Sequence, residues 1–363
     1  MDPRGETREE RVALSEAFDP DVAKGTSSGR PSEPLPLLSE AERAFDGRGR
    51  GAQKSVGVLP RQPAFLKVRA TQGPNFKRTK ELLRGAELHS VCEEAHCPNI
   101  FECFEQLTAT FLILGRVCTW NCRYCAVASG RPSGVDLEEP ERLAETVERL
   151  GLKYVVITSV TREDLPDGGA FIFAASIRNI RERVPDCRVE VLTPDFKGSR
   201  EALRTVLEAG PDIFNHNIET VKSIFHRARP KGDYARSLAL LRAAKEMAPL
   251  IPTKSGFMVG LGETMPEIEE TMSDLAQAGV SIVTAGQYLR PSLTHMPVAR
   301  YYTPSDYDLI RETGRRLGIG HVEAGPLVRS SYHARGQAEA FAPELGRPLT
   351  PKRGTDALLA EAE

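Results

Sequence analysis

Short apolar runs alternate with amphipathic stretches through the middle of the chain, and this alternation constrains the fold more than any other feature. Six runs are rich in β-branched or aromatic residues, as buried strands are. They are Thr110–Leu114, Tyr154–Val160, Arg188–Thr193, Ile213–Ile218, Lys254–Val259 and Ser281–Tyr288. Strands that alternate with helices form a parallel sheet with crossover connections. We therefore predict an α/β protein with a partial (β/α)6 TIM-like barrel, and a doubly wound sheet is the alternative.

The stretches between these runs predict helices. Four of them are Pro140–Leu150, Ala170–Arg183, Arg200–Glu208 and Tyr234–Met247. Another begins after Thr264, which forms a capping box with Glu267, and it ends before Gly279. A further helix begins at Thr303, with Pro304 in its first turn. In a barrel of this kind, functional side chains are expected at the carboxyl ends of the strands.

Composition narrows the class of protein. Lys and Arg total 48 against 50 Asp and Glu, and the net charge of −2 is unlike that of a nucleic-acid-binding domain. No run of 18 apolar residues is present, so we predict no membrane-spanning helix. The N-terminus lacks an apolar segment and carries several acids, which resembles neither a secretory signal nor a transit peptide. We expect a cytoplasmic monomer without nucleic-acid or membrane partners.

The cysteines are the strongest chemical signal. Six of the seven fall between Cys92 and Cys125, while Cys187 stands alone and is interpreted as an ordinary thiol. An odd number, tight clustering and the absence of an export signal argue against a disulfide framework. We therefore predict that the clustered cysteines bind metal.

The second cysteine group contains Cys118, Cys122 and Cys125 and directly follows the first predicted strand. Three thiolates within eight residues can converge on one small cofactor. A four-iron cluster has an iron for each of four ligands, so three thiolates leave one iron open. An open coordination position indicates chemistry, whereas a closed one indicates a structural role. The alternative is a zinc knuckle, which requires four ligands.

This C-x3-C-x2-C spacing, with Tyr124 before the last cysteine, resembles the radical S-adenosylmethionine (SAM) superfamily. The resemblance implies that the open iron binds the amino and carboxylate groups of SAM. An electron from the cluster would then cleave the sulfonium and produce a 5′-deoxyadenosyl radical, while the protein orients the reactants. Trp120 and Tyr124 would shield the cluster and stack near the adenine.

The first cysteine group contains Cys92, Cys97 and Cys103 in the spacing C-x4-C-x5-C. It occurs together with the segments DLPDGG, HNIETV, GLGET, QYLRPS and GPLVRSSYHA. Taken together, these motifs resemble the lipoyl synthase family from Phe65 to Ala334. The resemblance implies a second, auxiliary four-iron cluster on these three cysteines and on a C-terminal serine.

We assign that serine ligand to Ser331, with Ser330 as the alternative. A purely structural interpretation is that the two serines only cap a turn. An oxygen ligand on iron is harder and less well matched than a thiolate. A cluster with such a ligand is easier to open, which suits the role that the resemblance implies. In this family the auxiliary cluster donates sulfur and is consumed in turnover.

The resemblance further implies the reaction. Two sulfur atoms would be inserted at C6 and C8 of a protein-bound octanoyl group, with two SAM molecules used and Cys118, Cys122, Cys125 and Ser331 as the catalytic ligands. The implied partners are octanoylated lipoyl-carrier domains of 2-oxoacid dehydrogenase E2 subunits and the glycine cleavage H protein. A flavodoxin or ferredoxin-type reductant and an iron–sulfur cluster carrier would also be needed. The alternatives are another radical sulfur-insertion enzyme and a zinc-stabilised binding module.

Composition at the two ends and the motifs between them give a predicted division of the chain. Residues 1–58 are polar and are predicted to be disordered or loosely attached, and residues 342–363 form a flexible tail. Residues 59–108 carry the auxiliary-cluster cysteines. Residues 109–300 form the radical SAM partial barrel, and residues 301–341 carry the serine ligand.

Four further residues are predicted to contact the cofactor. Asp164 lies in a turn that can hold the methionine moiety, Asn217 and Glu219 can bond ribose hydroxyls, and Arg290 can neutralise a carboxylate. Each has a structural alternative, namely a tight turn, a strand-end cap or a surface salt bridge.

Other polar residues are assigned more general roles. Lys77, Arg78 and Lys80 are candidates for docking an acidic carrier domain. Arg329 is a candidate contact for a cluster sulfide or the substrate. The histidines near the motifs are interpreted as structural, and the turn Gly260–Glu263 is interpreted as a close backbone approach and not as a phosphate site.

Overall fold

A computed structural model describes residues 63–341, apart from residues 69, 71 and 107. The predicted disordered segment 1–58 and the predicted tail 342–363 both lie outside the described residues.

The described chain contains one eight-stranded sheet whose strands are hydrogen-bonded in chain order, without closure between the first and the last. The strands are β1 His89–Ser90, β2 Thr110–Ile113, β3 Tyr154–Ser159, β4 Arg188–Leu192, β5 Ile213–Asn215, β6 Thr253–Val259, β7 Ile282–Gln287 and β8 His321–Gly325. β1 runs antiparallel to β2, and every later pair is parallel. A doubly wound sheet would reverse its strand order, so the sequential order confirms the partial barrel.

All six predicted strands are present, and the sheet extends beyond them at both edges. β1 is only two residues long. β8 pairs with β7 from His321 to Gly325, but its sequence HVEAG contains no apolar run and three of its five residues are only partly buried. The hydrophobic pattern therefore gave no signal for a seventh parallel strand, although this strand leads directly to the serine segment.

The helices are α1 Pro74–Gly85, α2 Val91–Glu94, α3 Ile100–Glu105, α4 Glu139–Leu150, α5 Ala170–Arg183, α6 Arg200–Glu208, α7 Lys222–Ala228, α8 Tyr234–Met247, α9 Met265–Gln277, α10 Pro304–Arg316 and α11 Ala334–Phe341. The four predicted helices are confirmed, with α4 beginning one residue earlier. The capping box of Thr264 and Glu267 is formed, and Thr303 forms a second one with Asp306. No helix in the described part of the chain is long and apolar enough to span a membrane.

The strands are buried between the outer helices and the barrel interior. Ile157 on β3 and Val191 on β4 are fully buried, as are Leu143 and Phe173 on the covering helices. Each such side chain contributes about 1.5–3 kcal/mol when it is removed from water. This packing fixes the strands whose carboxyl ends carry the site.

A buried ion pair also links the strands from inside the barrel. Lys254 on β6 donates to Glu190 on β4 at 2.9 Å, and both side chains are fully buried. Tyr154 and Asn215 donate to the same carboxylate at 2.6 and 3.0 Å. Removing one partner of such a pair costs about 3–5 kcal/mol, so this network keeps β3 to β6 in register.

Candidate active site

A cavity of about 350 Å³ opens at the carboxyl ends of the strands. Its walls include thiols of both cysteine groups and both C-terminal serines: Cys92, Cys97, Cys118, Cys122, Cys125, Ser330 and Ser331. The two groups of predicted ligands therefore face a single space at the edge of the barrel where function was expected.

The second cysteine group lies in a loop whose start is fixed by a buried carboxylate. Leu114 and Gly115 adopt left-handed backbone conformations directly after β2, with φ of 66° and 84°. Glu139, at the start of α4, accepts a hydrogen bond from the Leu114 N–H at 2.8 Å and is 4% exposed. Burial raises the pKa of Glu139 to about 7, although the backbone N–H groups of Leu114 and Gly115 oppose this shift. The turn that directs the chain toward the cysteines thus depends on one acid.

Backbone groups then position the thiols of this loop. The Cys118 sulfur accepts hydrogen bonds from the N–H groups of Trp120 at 3.4 Å and Thr161 at 3.3 Å. The Cys125 N–H donates to the Cys122 carbonyl at 3.0 Å, which forms the tight turn between these residues. His295 bonds the Cys125 carbonyl at 2.9 Å. The loop is therefore held on several sides before any ligand binds.

The first cysteine group comes from two short helices and the turn between them, which carries Cys97. Cys92 lies in α2, whose N-cap Ser90 accepts from the Cys92 N–H, and the Cys97 N–H donates to the Cys92 carbonyl at 3.0 Å. Cys103 lies in α3 and does not itself line the cavity. Burial raises the pKa of Cys103, and the nearby thiols of Cys92 and Cys97 raise it further.

Burial makes these thiols weak acids. It raises the pKa of Cys97 and of Cys122 to about 11 and that of Cys125 to about 12, and neighbouring thiols add to the effect. Such thiols ionise when a cation replaces the proton, so metal binding would release protons. Among the described residues, no group of three or more His, Cys, Asp or Glu side chains is arranged so that it could hold a single metal ion. A four-iron cluster instead takes one thiolate per iron.

The C-terminal serines differ in their hydrogen bonds. The Asn217 side-chain N–H donates to the Ser330 hydroxyl at 3.0 Å. Ser331 lines the same cavity, and its hydroxyl makes no hydrogen bond to another residue in the described part of the chain. Asn217 therefore holds the Ser330 hydroxyl, whereas the Ser331 hydroxyl has no comparable contact among the described residues.

Arg329 precedes these serines and brings a partly buried positive charge to the cavity. Its guanidinium donates to the Val328 carbonyl at 2.6 Å, and within the described residues it forms no ion pair with a carboxylate. Burial lowers the pKa of Arg329, while Cys97 opposes the shift. A partly buried cation without a carboxylate partner favours an anionic group in the neighbouring space.

Arg229 is a second cation in the cavity, and it is a residue that the sequence analysis missed. It follows α7, is 7% exposed, and its guanidinium lies 4.9 Å from the Trp120 ring centre. One Arg in the basic segment HRARPKG gives no distinguishing signal. Glu219 is close by, and burial raises the pKa of this carboxyl although Arg229 opposes the shift. The pair places a carboxyl and a fixed positive charge beside Cys122.

Five buried polar atoms on the cavity wall have no hydrogen-bond partner in the described structure. They are Trp120 Nε1, Ser159 Oγ, Thr193 Oγ1, Asn217 Oδ1 and Arg229 Nε. Buried polar groups are almost always hydrogen-bonded in native proteins, so this concentration indicates a polar ligand. The donors and acceptors on the wall suit a molecule that carries a carboxylate and several hydroxyl groups.

The predicted cofactor contacts divide into two sets. Tyr124, Asn217 and Glu219 line the cavity. Asp164 and Arg290 do not, and the structure gives the predicted contacts of these two no support. Asp164 pairs with the buried Arg162 at 2.8 Å, and Arg290 donates to carbonyl groups of its own loop. The predicted contacts of both residues rest on their positions at strand ends. Such a position does not show which protein group lies closest to the side chain.

Several structural interpretations are confirmed. His216 bonds the Thr193 carbonyl at 2.8 Å and the Ser237 hydroxyl at 3.1 Å. Gly260 has φ of 102°, and a Cβ there would lie 2.7 Å from the Arg300 carbonyl, so this turn serves a close backbone approach. Cys187 is fully buried.

Comparisons with known proteins identify the family. Residues 112–275 match the radical SAM superfamily, and residues 39–97 match the N-terminal domain of lipoyl synthase. The lipoyl synthase of Rubrobacter xylanophilus is 55% identical over 311 residues, covering 86% of this chain and 92% of that protein. The lipoyl synthase of Symbiobacterium thermophilum is 55% identical over 297 residues, covering 82% and 93%. The chain therefore belongs to the lipoyl synthase family of radical SAM enzymes.

Proposed function

We propose that this enzyme inserts two sulfur atoms at C6 and C8 of an octanoyl group carried on a lipoyl domain. The observation that carries the proposal is the single cavity lined by both cysteine groups and Ser331. The reaction removes a hydrogen atom and then adds sulfur, so the radical and the sulfur donor must both reach the same carbon chain. Unactivated C–H bonds have no acidic proton, so the side chains of the site would not suffice by acid–base catalysis alone.

The residues of the cavity fit SAM and a cluster on Cys118, Cys122 and Cys125. Arg229 would bind the carboxylate of SAM, and the unpartnered oxygen of Asn217 would accept from a ribose hydroxyl. Trp120 and Tyr124 would keep water from the cluster. The bound groups supply the radical chemistry and the sulfur, while the chain binds and orients them.

The auxiliary cluster would be held by Cys92, Cys97, Cys103 and Ser331. Ser331 is preferred over Ser330 because Ser330 already accepts from Asn217. Arg329 supplies a partly buried positive charge that would suit the negative charge of a cluster ligated by anionic residues. The oxygen ligand makes one iron the weakest held, which suits a cluster that gives up sulfur.

The lipoyl-domain substrate would present its octanoyl chain to the apolar part of the cavity wall, which includes Leu112, Leu192 and Met258. Burying about six methylenes at about 0.8 kcal/mol each supplies roughly 5 kcal/mol, which does not by itself give tight binding. A docking surface on the protein is therefore needed. We keep the basic residues of α1 as its candidates: Lys77 is exposed, Arg78 donates to the Arg149 carbonyl, and Lys80 pairs with Glu93 at 3.2 Å.

The remaining assignments are proposals of the same kind. The carriers would be 2-oxoacid dehydrogenase E2 subunits and the glycine cleavage H protein. The reductant would be a flavodoxin or ferredoxin-type protein, and an iron–sulfur cluster carrier would rebuild the auxiliary cluster. We propose a cytoplasmic monomer with the division at residues 58, 108, 300 and 341 given above.

The direct test is a turnover assay. The anaerobically reconstituted enzyme is incubated with reductant, SAM and an octanoylated lipoyl domain, and the mass of the domain is measured. We expect the mass of two added sulfur atoms and the loss of the displaced hydrogens. A domain of unchanged mass, from enzyme that contains both clusters and cleaves SAM, would contradict the proposal.

The docking surface has its own test. Charge reversal of Lys77, Arg78 and Lys80 should slow turnover of the whole lipoyl domain much more than turnover of a short octanoyl-lysine peptide. Equal effects on both substrates would show that α1 does not dock the carrier.

A further inference from the structure

The segment between β8 and α11, residues 326–333, carries both serines, and we refer to it as the strap. Its N-terminal end packs closely on the barrel, since a Cβ at Gly286 of β7 would lie 1.9 Å from the Val328 carbonyl. Its C-terminal end contains His333, which adopts a left-handed backbone conformation with φ of 53°. A residue with a Cβ pays a conformational cost there, so neighbouring contacts must hold it in place.

Those contacts come from one acid on the helix that carries Cys103. Tyr332 donates its hydroxyl to one oxygen of Glu102 at 3.0 Å, and the His333 ring nitrogen Nε2 bonds the other oxygen at 3.0 Å. The rings of Tyr332 and His333 stack, with centres 3.8 Å apart. Glu102 thus binds the two residues that directly follow Ser331.

The same carboxylate is adjacent in sequence to a cysteine of the auxiliary group. Glu102 and Cys103 are neighbours in α3, so the strap is tied to the helix that presents a thiol. A second, partly buried hydrogen bond joins the Asn99 side chain to the Leu327 carbonyl at 2.7 Å. The three contacts connect parts of the chain about 230 residues apart.

We propose that Glu102 is a positioning residue that sets Ser331 against the cysteine group and so determines how firmly the serine-held iron is retained. This inference rests on the proposed role of Ser331 as a ligand. Glu102 and His333 are 44% and 52% exposed, so water competes for the contact. The hydrogen bonds of Glu102 can therefore orient the strap, yet they are weak enough to break when the auxiliary cluster has been consumed.

The test compares E102A and E102Q with S331A, all as holoenzymes reconstituted with isotopically enriched iron. E269A is the matched control, because Glu269 forms a similarly exposed ion pair with Arg316 away from the cluster. The readouts are the rate at which a ferrous chelator removes the first iron and the Mössbauer signature of the oxygen-ligated iron. SAM cleavage without carrier reports on the other cluster.

E102A removes the acceptor of both half-exposed hydrogen bonds, so we expect it to lose its first iron about tenfold faster than the unaltered enzyme. Its oxygen-ligated iron signal should shift toward that of S331A. E102Q retains an acceptor for Tyr332 and should fall between, while E269A and SAM cleavage remain unchanged.

The inference is overturned if E102A matches the unaltered enzyme in both readouts while S331A changes them. If S331A changes neither readout, the ligand assignment itself fails and the role of Glu102 falls with it. Should E102A fail to fold, the Y332F/H333G double variant removes both donors from the strap instead, and Gly tolerates the left-handed conformation. The same faster loss of iron is then expected, and an unchanged rate overturns the inference.

Discussion

The two cysteine groups of this enzyme are built in different ways. Cys118, Cys122 and Cys125 come from eight consecutive residues after β2, and backbone groups of neighbouring loops position them. The proposed auxiliary group takes Cys92 from α2, Cys97 from the turn between the two helices and Cys103 from α3, and its serine ligand comes from the far end of the barrel. A site built from one loop has its geometry fixed by that loop. A site assembled from distant segments depends on side-chain contacts that hold those segments together.

The difference suits the proposed chemistry of each site. A cluster that acts repeatedly benefits from a loop held by buried backbone hydrogen bonds. A cluster that is consumed and rebuilt benefits from a cover held in part by half-exposed side chains. The following predictions test this contrast, beginning with the largest effect.

Removing a cysteine from each group should separate two activities. C122A should cleave no SAM and form no product, whereas C97A should still cleave SAM but insert no sulfur. Each variant should retain about four of about eight irons per chain, because each lacks one four-iron cluster. Iron content, SAM cleavage and carrier mass check this, and loss of SAM cleavage in C97A would contradict the separation of roles.

Gly286→Ala should damage the assembled site selectively. The added Cβ would lie 1.9 Å from the Val328 carbonyl, so the strap must move. Misplacement of this size can slow sulfur insertion by up to about 100-fold, while SAM cleavage is retained. Gly85→Ala is the control, because a Cβ there meets nothing within 4 Å. Unchanged sulfur insertion would show that the strap position does not matter.

Arg229→Met should weaken SAM binding at the local site. Loss of a charge-assisted contact to the carboxylate should raise the Kd by about tenfold to 100-fold, measured by equilibrium dialysis on the reconstituted enzyme. Arg242→Met removes an exposed arginine and serves as the control. If the affinity is unaltered in Arg229→Met, the carboxylate is bound elsewhere.

Glu139 should make the stability of the local site pH-dependent. Its pKa is raised to about 7 from an ordinary 4.5, so the folded state favours the protonated acid. The stabilising contribution is present below pH 4.5 and is lost as the pH rises through 7. Relative to E139Q, we expect the free energy of unfolding to fall by about 1 kcal/mol between about pH 6 and pH 8.

Chemical denaturation of both proteins across that range measures the effect. E141Q is the control, since Glu141 is an exposed residue of the same helix that pairs with Arg183. A difference between the unaltered enzyme and E139Q that does not vary with pH would mean that Glu139 is already ionised or already solvated.

The contrast between local and long-range construction also explains which parts of the fold and the site can be predicted from the sequence. The parallel strands and the loop of Cys118 follow from local patterns, because hydrophobic runs and close ligand spacing lie within one segment. β8 was missed because its partly exposed sequence carries no apolar run. Arg229 was missed because only the fold brings this residue to Trp120. The predicted contacts of Asp164 and Arg290 depend on which partner is nearest, and a strand-end position does not specify it.

The central claim is that the cluster on Cys92, Cys97, Cys103 and Ser331 gives its sulfur to a chain held in the shared cavity. The most direct measurement is a single turnover of enzyme whose auxiliary cluster alone is rebuilt with heavy-isotope sulfide, followed by mass analysis of the carrier. We predict the heavy isotope in both inserted sulfur atoms. Product that carries only sulfur of natural isotopic composition would contradict the account.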